Sequence, residues 1–168
     1  MKKALLIIAY SVVIRFFLNL IVGVKFSNEK KKKKEKQFIL IANHNSHLDA
    51  ISIMASMPSS IIHKVKPVAA EDYFGKTKTK AWLSNYFINT LLIQRKSDKE
   101  NPENDPIYKM NKALKDGFSL IIFPEGTRSI DCNLKRFKKG AFYLSEQLKL
   151  DITPILIHGT GHTVKKGD

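Results

Sequence analysis

The sequence predicts an α/β domain: a single domain with a largely parallel mixed sheet flanked by helices, preceded by an apolar N-terminal membrane-associating helix. Three observations predict it. Between residues 37 and 159, short apolar runs alternate with segments of helical spacing, the pattern of strand–helix units that build a parallel sheet. Several of those runs end in polar, turn-forming residues. Residues 4–24, ALLIIAYSVVIRFFLNLIVGV, are almost wholly apolar. A chain of 168 residues is the length of one domain. It buries a sizeable core without disulfides. The single Cys132 has no internal partner, which fits a reducing compartment.

The N-terminal stretch has the length of a membrane span, about 20 residues. Arg15 and Asn19 interrupt it, and an arginine at mid-span costs about 2.5–3.5 kcal/mol. No small-residue cleavage site follows, so a signal peptide fits poorly. Residues 28–36, NEKKKKKEK, place six lysines in the seven positions from Lys30. An apolar helix beside a polybasic run is a two-signal device for an anionic phospholipid surface. The positive-inside rule puts the lysines on the cytoplasmic face. The net charge of +14 agrees with an anionic partner. Nucleic acid is the weakest such partner: the lysines cluster in one run, and no RRM, KH or helix-turn-helix signature occurs. Residues 1–36 therefore form an apolar helix plus a polybasic segment, and residues 37–168 the main domain.

The main domain reads in order. QFILIAN (37–43) is a buried strand. SHLDAISIMASM (46–57) is a helix with Ser46 as its cap and Asp49 in the capping-box position. VKPVAA (65–70) is a strand, TKAWLSNYFIN (79–89) a helix and TLLIQR (90–95) a strand. A polar loop covers 95–106. IYKMNKALKDG (107–117) is an amphipathic helix closed by Gly117. FSLIIFPEGTRS (118–129) is a strand running into a loop, KGAFYLSEQLKL (139–150) a helix, and DITPILIHG (151–159) the last strand. In open α/β sheets ligands bind beyond the carboxyl ends of the strands. Asn43-His44, Arg95 and PEGTRS all stand there and predict one shared site.

His44 follows a strand, and Asp49 lies five residues on, in the first turn of a helix. A strand-to-helix turn can fold them together. A carboxylate on one ring nitrogen fixes the tautomer and supports the imidazolium as it forms, which makes a general base near neutral pH. No G-x-S-x-G elbow supplies a protein nucleophile, so the nucleophile is expected to be a substrate hydroxyl. In FPEGTRS, Pro124 and Gly126 fix a tight turn. Its exposed N–H groups, the Thr127 hydroxyl and the Arg128 guanidinium form a phosphate cradle. Glu125 has two readings there: a bond to a substrate hydroxyl, or a partner that holds Arg128. Arg95 is a second arginine for the same anion. A competing reading takes His44, His47 and Asp49 as ligands of a metal-dependent hydrolase, but no H-E-x-x-H, cysteine pair or EF-hand loop supports it.

NHNSHLD and FPEGTRS resemble the two diagnostic motifs of the glycerolipid acyltransferase family, the lysophosphatidate acyltransferases. The first, N-H-x-x-x-x-D, is matched by Asn43, His44 and Asp49, and the second in full from Phe123 to Ser129. NTLLIQR resembles the family's G-x-x-x-I-x-R strand, with Ile93 and Arg95 kept and Asn89 in the usual place of glycine. ITPILIHG resembles its proline strand. The resemblance implies acyl transfer from acyl-CoA or acyl-carrier protein to the sn-2 hydroxyl of 1-acyl-sn-glycerol-3-phosphate. Another acceptor, glycerol-3-phosphate or another lyso-lipid, is the alternative within the class. It implies His44 and Asp49 as the catalytic pair and Arg95, Glu125, Gly126, Thr127 and Arg128 as binders of the acceptor. No metal and no further cofactor are implied. Family members continue for tens of residues past the proline strand, whereas this sequence reaches Asp168; the expectation is a short or C-terminally truncated member.

Overall fold

The computed structural model describes residues 2–25, 36–74, 88–96, 101–129 and 133–160. The polybasic run lies outside the described residues except for Lys36, and the helix expected over 79–89 lies outside them except for its last two positions.

Five strands form one sheet: β1 (Phe38–Ala42), β2 (Val65–Ala70), β3 (Leu91–Ile93), β4 (Ser119–Ile122) and β5 (Asp151–Ile155). Their order is β3-β2-β4-β1-β5. Every pairing is parallel, where a largely parallel mixed sheet was predicted. Each strand of the predicted set is present. The interior strand β1 is buried throughout, which explains why FILIA carries no polar alternation. Pro154 is tolerated because β5 is an edge strand.

The side chains of β1 split between two apolar cores. Phe38, Leu40 and Ala42 face one layer with Ile53 and Met54 of α2 (Leu48–Ser56). Ile39 and Ile41 face the other, with Met110 and Leu114 of α4 (Pro106–Lys115) and Leu144 of α5 (Gly140–Leu148). A short helix, α3 (Glu71–Phe74), follows β2.

The N-terminal helix α1 (Lys2–Val22) belongs to the first layer. Leu6, Tyr10 and Leu18 are buried there, with Ile14 and Val22 packed alongside. Those positions recur every four residues. On a helix of 3.6 residues per turn that spacing drifts by about 40° per repeat. Wider π-helical turns over Ala9–Ile14 and Leu18–Val22 absorb the drift and keep the stripe facing inward. The opposite face leaves Val12, Val13, Phe16, Phe17, Leu20 and Ile21 exposed. α1 is long and apolar enough to cross a membrane.

Local chemistry sets the ends of the elements that frame the site. Asp105 accepts from the N–H groups of Ile107 and Tyr108 at 2.8 and 3.2 Å, with Pro106 in the first turn of α4. Gly117, at φ +84°, closes α4 as expected: Phe118 N–H donates to Ala113 and Gly117 N–H to Leu114. Asn89 has φ +59°, a left-handed conformation that glycine adopts without strain and asparagine tolerates. Its side-chain amide donates to the Val65 carbonyl at 2.9 Å, so the turn into β3 survives without glycine.

Candidate active site

The loop from β1 to α2 carries the histidine, and the first turn of α2 carries the carboxylate. His44 Nδ1 lies 2.9 Å from Asp49 Oδ2. A carboxylate only accepts, so Nδ1 carries a proton, and in the neutral ring the lone pair is on Nε2. The Asp49 side chain is fully buried, and that of His44 is 22% exposed. Asp49 Oδ2 also accepts from the N–H groups of Asn45 and Ser46, at 2.7 and 2.8 Å. Half of the expected capping box is thus formed by the same carboxylate that holds the histidine. The Ser46 hydroxyl accepts from Leu48 N–H at 3.2 Å rather than from that of Asp49. Burial pushes the Asp49 carboxyl up. The hydrogen bonds from His44, Ser46, Thr160 and Asn45 outweigh it and hold the carboxyl below its usual value. The N-terminal end of α2 favours the anion as well.

The turn after β4 closes on the same loop. Glu125 Oε1 accepts from His44 N–H at 2.9 Å, and Ser129 N–H donates to the His44 carbonyl at 2.8 Å. The backbone of His44 is therefore gripped on both sides. Phe123 stacks against the imidazole, with ring centroids 4.1 Å apart and planes 19° apart. Glu125 is buried, and its second oxygen accepts from Lys135 N–H at 3.2 Å. Both carboxylate oxygens thus meet backbone donors, a use that neither sequence reading of Glu125 anticipated. Gly126 has φ +73°.

Cations gather around this turn. Arg95 Nε donates to both oxygens of Asp72, at 3.1 and 2.9 Å, and its Nη1 donates to the Gly126 carbonyl at 2.8 Å. Lys135 Nζ donates to the Arg128 carbonyl at 2.9 Å and lies 3.5 Å from the Thr127 hydroxyl. Lys138 folds across Gly126. Lys135 and Lys138 were not singled out from sequence, although the cation-rich run KRFKK (135–139) was visible there. A side chain at position 126 would be strained by about 1–2 kcal/mol in the left-handed region. Its Cβ would also come 2.8 Å from Lys138 Nζ. Gly126→Ala is expected to displace Lys138 and to raise KM for a phosphate-bearing substrate more than it lowers kcat, as steady-state kinetics would show. An unchanged KM would mean that the turn and Lys138 do not bind substrate.

A cavity of about 560 Å³ opens between these groups. Its lining includes His44, Thr127, Arg128 and Lys138 together with the apolar Val68, Ile93, Ile107 and Met110. His47 lines it too. Burial holds His47 below the usual histidine value, followed by the positive charges of Arg128 and His44, against the pull of Asp49. Among the described residues, no three His, Cys, Asp or Glu side chains are placed to hold a metal ion. The structure brings five of the seven predicted site residues to the cavity wall, His44, Arg95, Gly126, Thr127 and Arg128, and a sixth, Asp49, onto His44 from the first turn of α2. Glu125 lies behind the wall, on the backbone.

A parallel α/β sheet whose strand ends carry a buried carboxylate–histidine pair beside a cationic turn defines a class of group-transfer site. The sequence model of the family described as Acyltransferase matches residues 23–158, and the chain belongs to that family. It is 32% identical over 154 residues to the 1-acyl-sn-glycerol-3-phosphate acyltransferase of Limnanthes douglasii, covering 88% of this chain and 50% of the relative. It is 31% identical over 147 residues to the enzyme of that name from Saccharomyces cerevisiae, covering 84% of this chain and 45% of the relative. The crystal structure of the 1-acyl-sn-glycerophosphate (LPA) acyltransferase PlsC from Thermotoga maritima superposes with a TM-score of 0.61 at 28% identity, over 80% of this chain and 50% of that one. The chain spans about half, or less, of the length of the curated relatives it matches.

Proposed function

We propose that this chain transfers a fatty acyl group from an acyl thioester, acyl-CoA or acyl-carrier protein, to the sn-2 hydroxyl of 1-acyl-sn-glycerol-3-phosphate, giving phosphatidate. The observation that carries this reading is the fixed tautomer of His44, whose Nε2 lone pair belongs to a ring lining a cavity that both cationic and apolar side chains line. An acceptor with a phosphate, a free hydroxyl and an acyl chain needs all three features. The relatives named for this reaction support the choice of acceptor.

In this mechanism His44 Nε2 takes the proton of the acceptor hydroxyl as its oxygen attacks the thioester carbonyl carbon. Asp49 stabilises the imidazolium. The tetrahedral adduct collapses, the C–S bond breaks, and the imidazolium returns the proton to the leaving thiolate. No acyl-enzyme, metal or further cofactor takes part. Thr127, Arg128 and Lys138 hold the phosphate, with Arg95 supporting the turn through the Gly126 carbonyl. Glu125 serves the acceptor indirectly, by holding the His44 loop. The exposed apolar face of α1 associates with the membrane where the lipid substrates reside. The lysine run carries the anionic-lipid contact on the cytoplasmic side.

A product assay tests the reading. Detergent-solubilised full chain receives lysophosphatidate with acyl-CoA, and separately with acyl-carrier protein, and mass spectrometry reads the products. Phosphatidate from the wild type alone, and not from His44→Ala, is the expected result. Absence of phosphatidate with both donors, from folded protein, would overturn the acceptor assignment. Arg128→Ala is expected to raise KM for lysophosphatidate about tenfold or more, the scale of one charge-assisted contact. A lyso-lipid without a phosphate monoester should be far less affected. Equal losses with both acceptors would remove Arg128 from phosphate binding.

A further inference from the structure

The Asp49 carboxylate accepts from four donors, and one of them lies outside every motif. Three come from its own loop, the His44 ring and the N–H groups of Asn45 and Ser46, and all three meet Oδ2. Oδ1 accepts from the Thr160 hydroxyl alone among the contacts of the described residues, at 2.6 Å. That is the length of a charge-assisted O–H···O⁻ bond. Thr160 is buried and stands 111 residues from Asp49, just past the loop that follows β5. The loop is tied down independently: the Asn43 side chain donates to the Ile157 carbonyl at 2.8 Å and accepts from Ile157 N–H at 2.7 Å.

We infer that Thr160 is a positioning residue of the His44–Asp49 pair, whose hydroxyl keeps the carboxylate oriented to receive the Nδ1–H of His44. Three donors on one oxygen fix the position of that oxygen but leave the carboxyl plane to be set by whatever holds the other. Without Thr160, Oδ1 is a buried anionic oxygen with no donor among the described residues. The side chain then turns toward any donor or water that reaches it, and the bond to Nδ1 lengthens or bends. Thr160 touches neither reacting atom; it acts through Asp49. The assignment rests on the proposed role of the pair, so the experiment reads both.

Initial rates are measured on the full chain with lysophosphatidate and the thioester that supports turnover. The variants are Thr160→Val and Thr160→Ser, each alone and with Asp49→Asn, beside His44→Ala, with rates expressed per folded protein from circular dichroism. Thr160→Val keeps the shape and removes the hydroxyl. It is expected to lower kcat about tenfold, the scale of one hydrogen bond to a charged group, with KM for the acceptor unchanged. Thr160→Ser should recover most of that loss. In the Asp49→Asn background, Thr160→Val should cost little more, because the path it acts through is already broken. A wild-type kcat in Thr160→Val overturns the inference, as does an equal loss in both backgrounds or a serine variant no better than valine. Should Thr160→Val fail to fold, Thr160→Ala is read by the same criteria. Wild-type turnover in His44→Ala would overturn the role of the pair itself, and the inference with it. A dead His44→Ala beside a fully active Thr160→Val would overturn the inference alone.

Discussion

His44→Ala is expected to lower turnover by about 10²- to 10⁴-fold, the usual contribution of a general base. The acceptor hydroxyl is a poor nucleophile until its proton has somewhere to go, and His44 is the group whose second nitrogen is tied to a buried carboxylate. KM for the acceptor should change little, because the phosphate contacts proposed above use other side chains, Thr127, Arg128 and Lys138. The fold should survive. The backbone of position 44 keeps its bonds to Glu125 and Ser129, and Asp49 keeps three of its four donors. Steady-state kinetics beside circular dichroism separate the two effects. Turnover within threefold of wild type in a folded variant would remove His44 from the chemistry.

Asp49→Asn is expected to be comparably damaging, by a different route. In hydrolases built on such a pair, this change costs about 10⁴-fold in turnover because the histidine adopts the wrong tautomer. Asparagine offers one acceptor oxygen where four donors converge. If that oxygen serves Asn45 and Ser46, the amide NH₂ faces Thr160, and the imidazolium loses its counter-charge. If the side chain flips, NH₂ faces Nδ1 and forces the proton onto Nε2. Both outcomes disable the base.

The variant should also lose stability at neutral pH. In the wild type the folded carboxyl titrates below its unfolded value, because the four donors outweigh burial. A carboxyl depressed on folding stabilises the native state above the unfolded value, about pH 3.9. That stabilisation is lost as pH falls from there through the folded value. The stability difference between wild type and Asp49→Asn should therefore be largest at neutral pH and shrink below about pH 4, as urea titrations across pH would show. A difference that stayed constant through that range would mean that the carboxyl is not the source.

Much of the site was legible because its first contacts are short-range. His44 and Asp49 are five residues apart, across one strand-to-helix turn, so their pairing follows from local geometry. The ends of α4 were legible for the same reason: Pro106 and Gly117 act within one turn of where they stand. Glu125 was read as a partner of substrate or of Arg128, yet its oxygens meet the backbone of residues 44 and 135. No spacing rule finds a bond across 81 residues. α1 was read as a segment apart from the main domain, yet one of its faces shares a core with β1 and α2. A four-residue stripe on an otherwise apolar helix does not stand out in the sequence.

The sequence by itself determined the α/β class with its largely parallel sheet, the strands, the histidine–carboxylate pair and the tight turn at Gly126. Each depends on hydrophobic period or on residues within a few positions of one another. The tertiary structure alone decided how the loops stand around the site, and that Thr160 joins them. In the order β3-β2-β4-β1-β5, β1 lies between β4 and β5. That puts the His44 loop between the Glu125 turn on one side and the segment carrying Thr160 on the other. Strand order is set by how the whole apolar surface packs, so the donors that complete the Asp49 carboxylate and hold the His44 backbone appear only once the sheet is assembled.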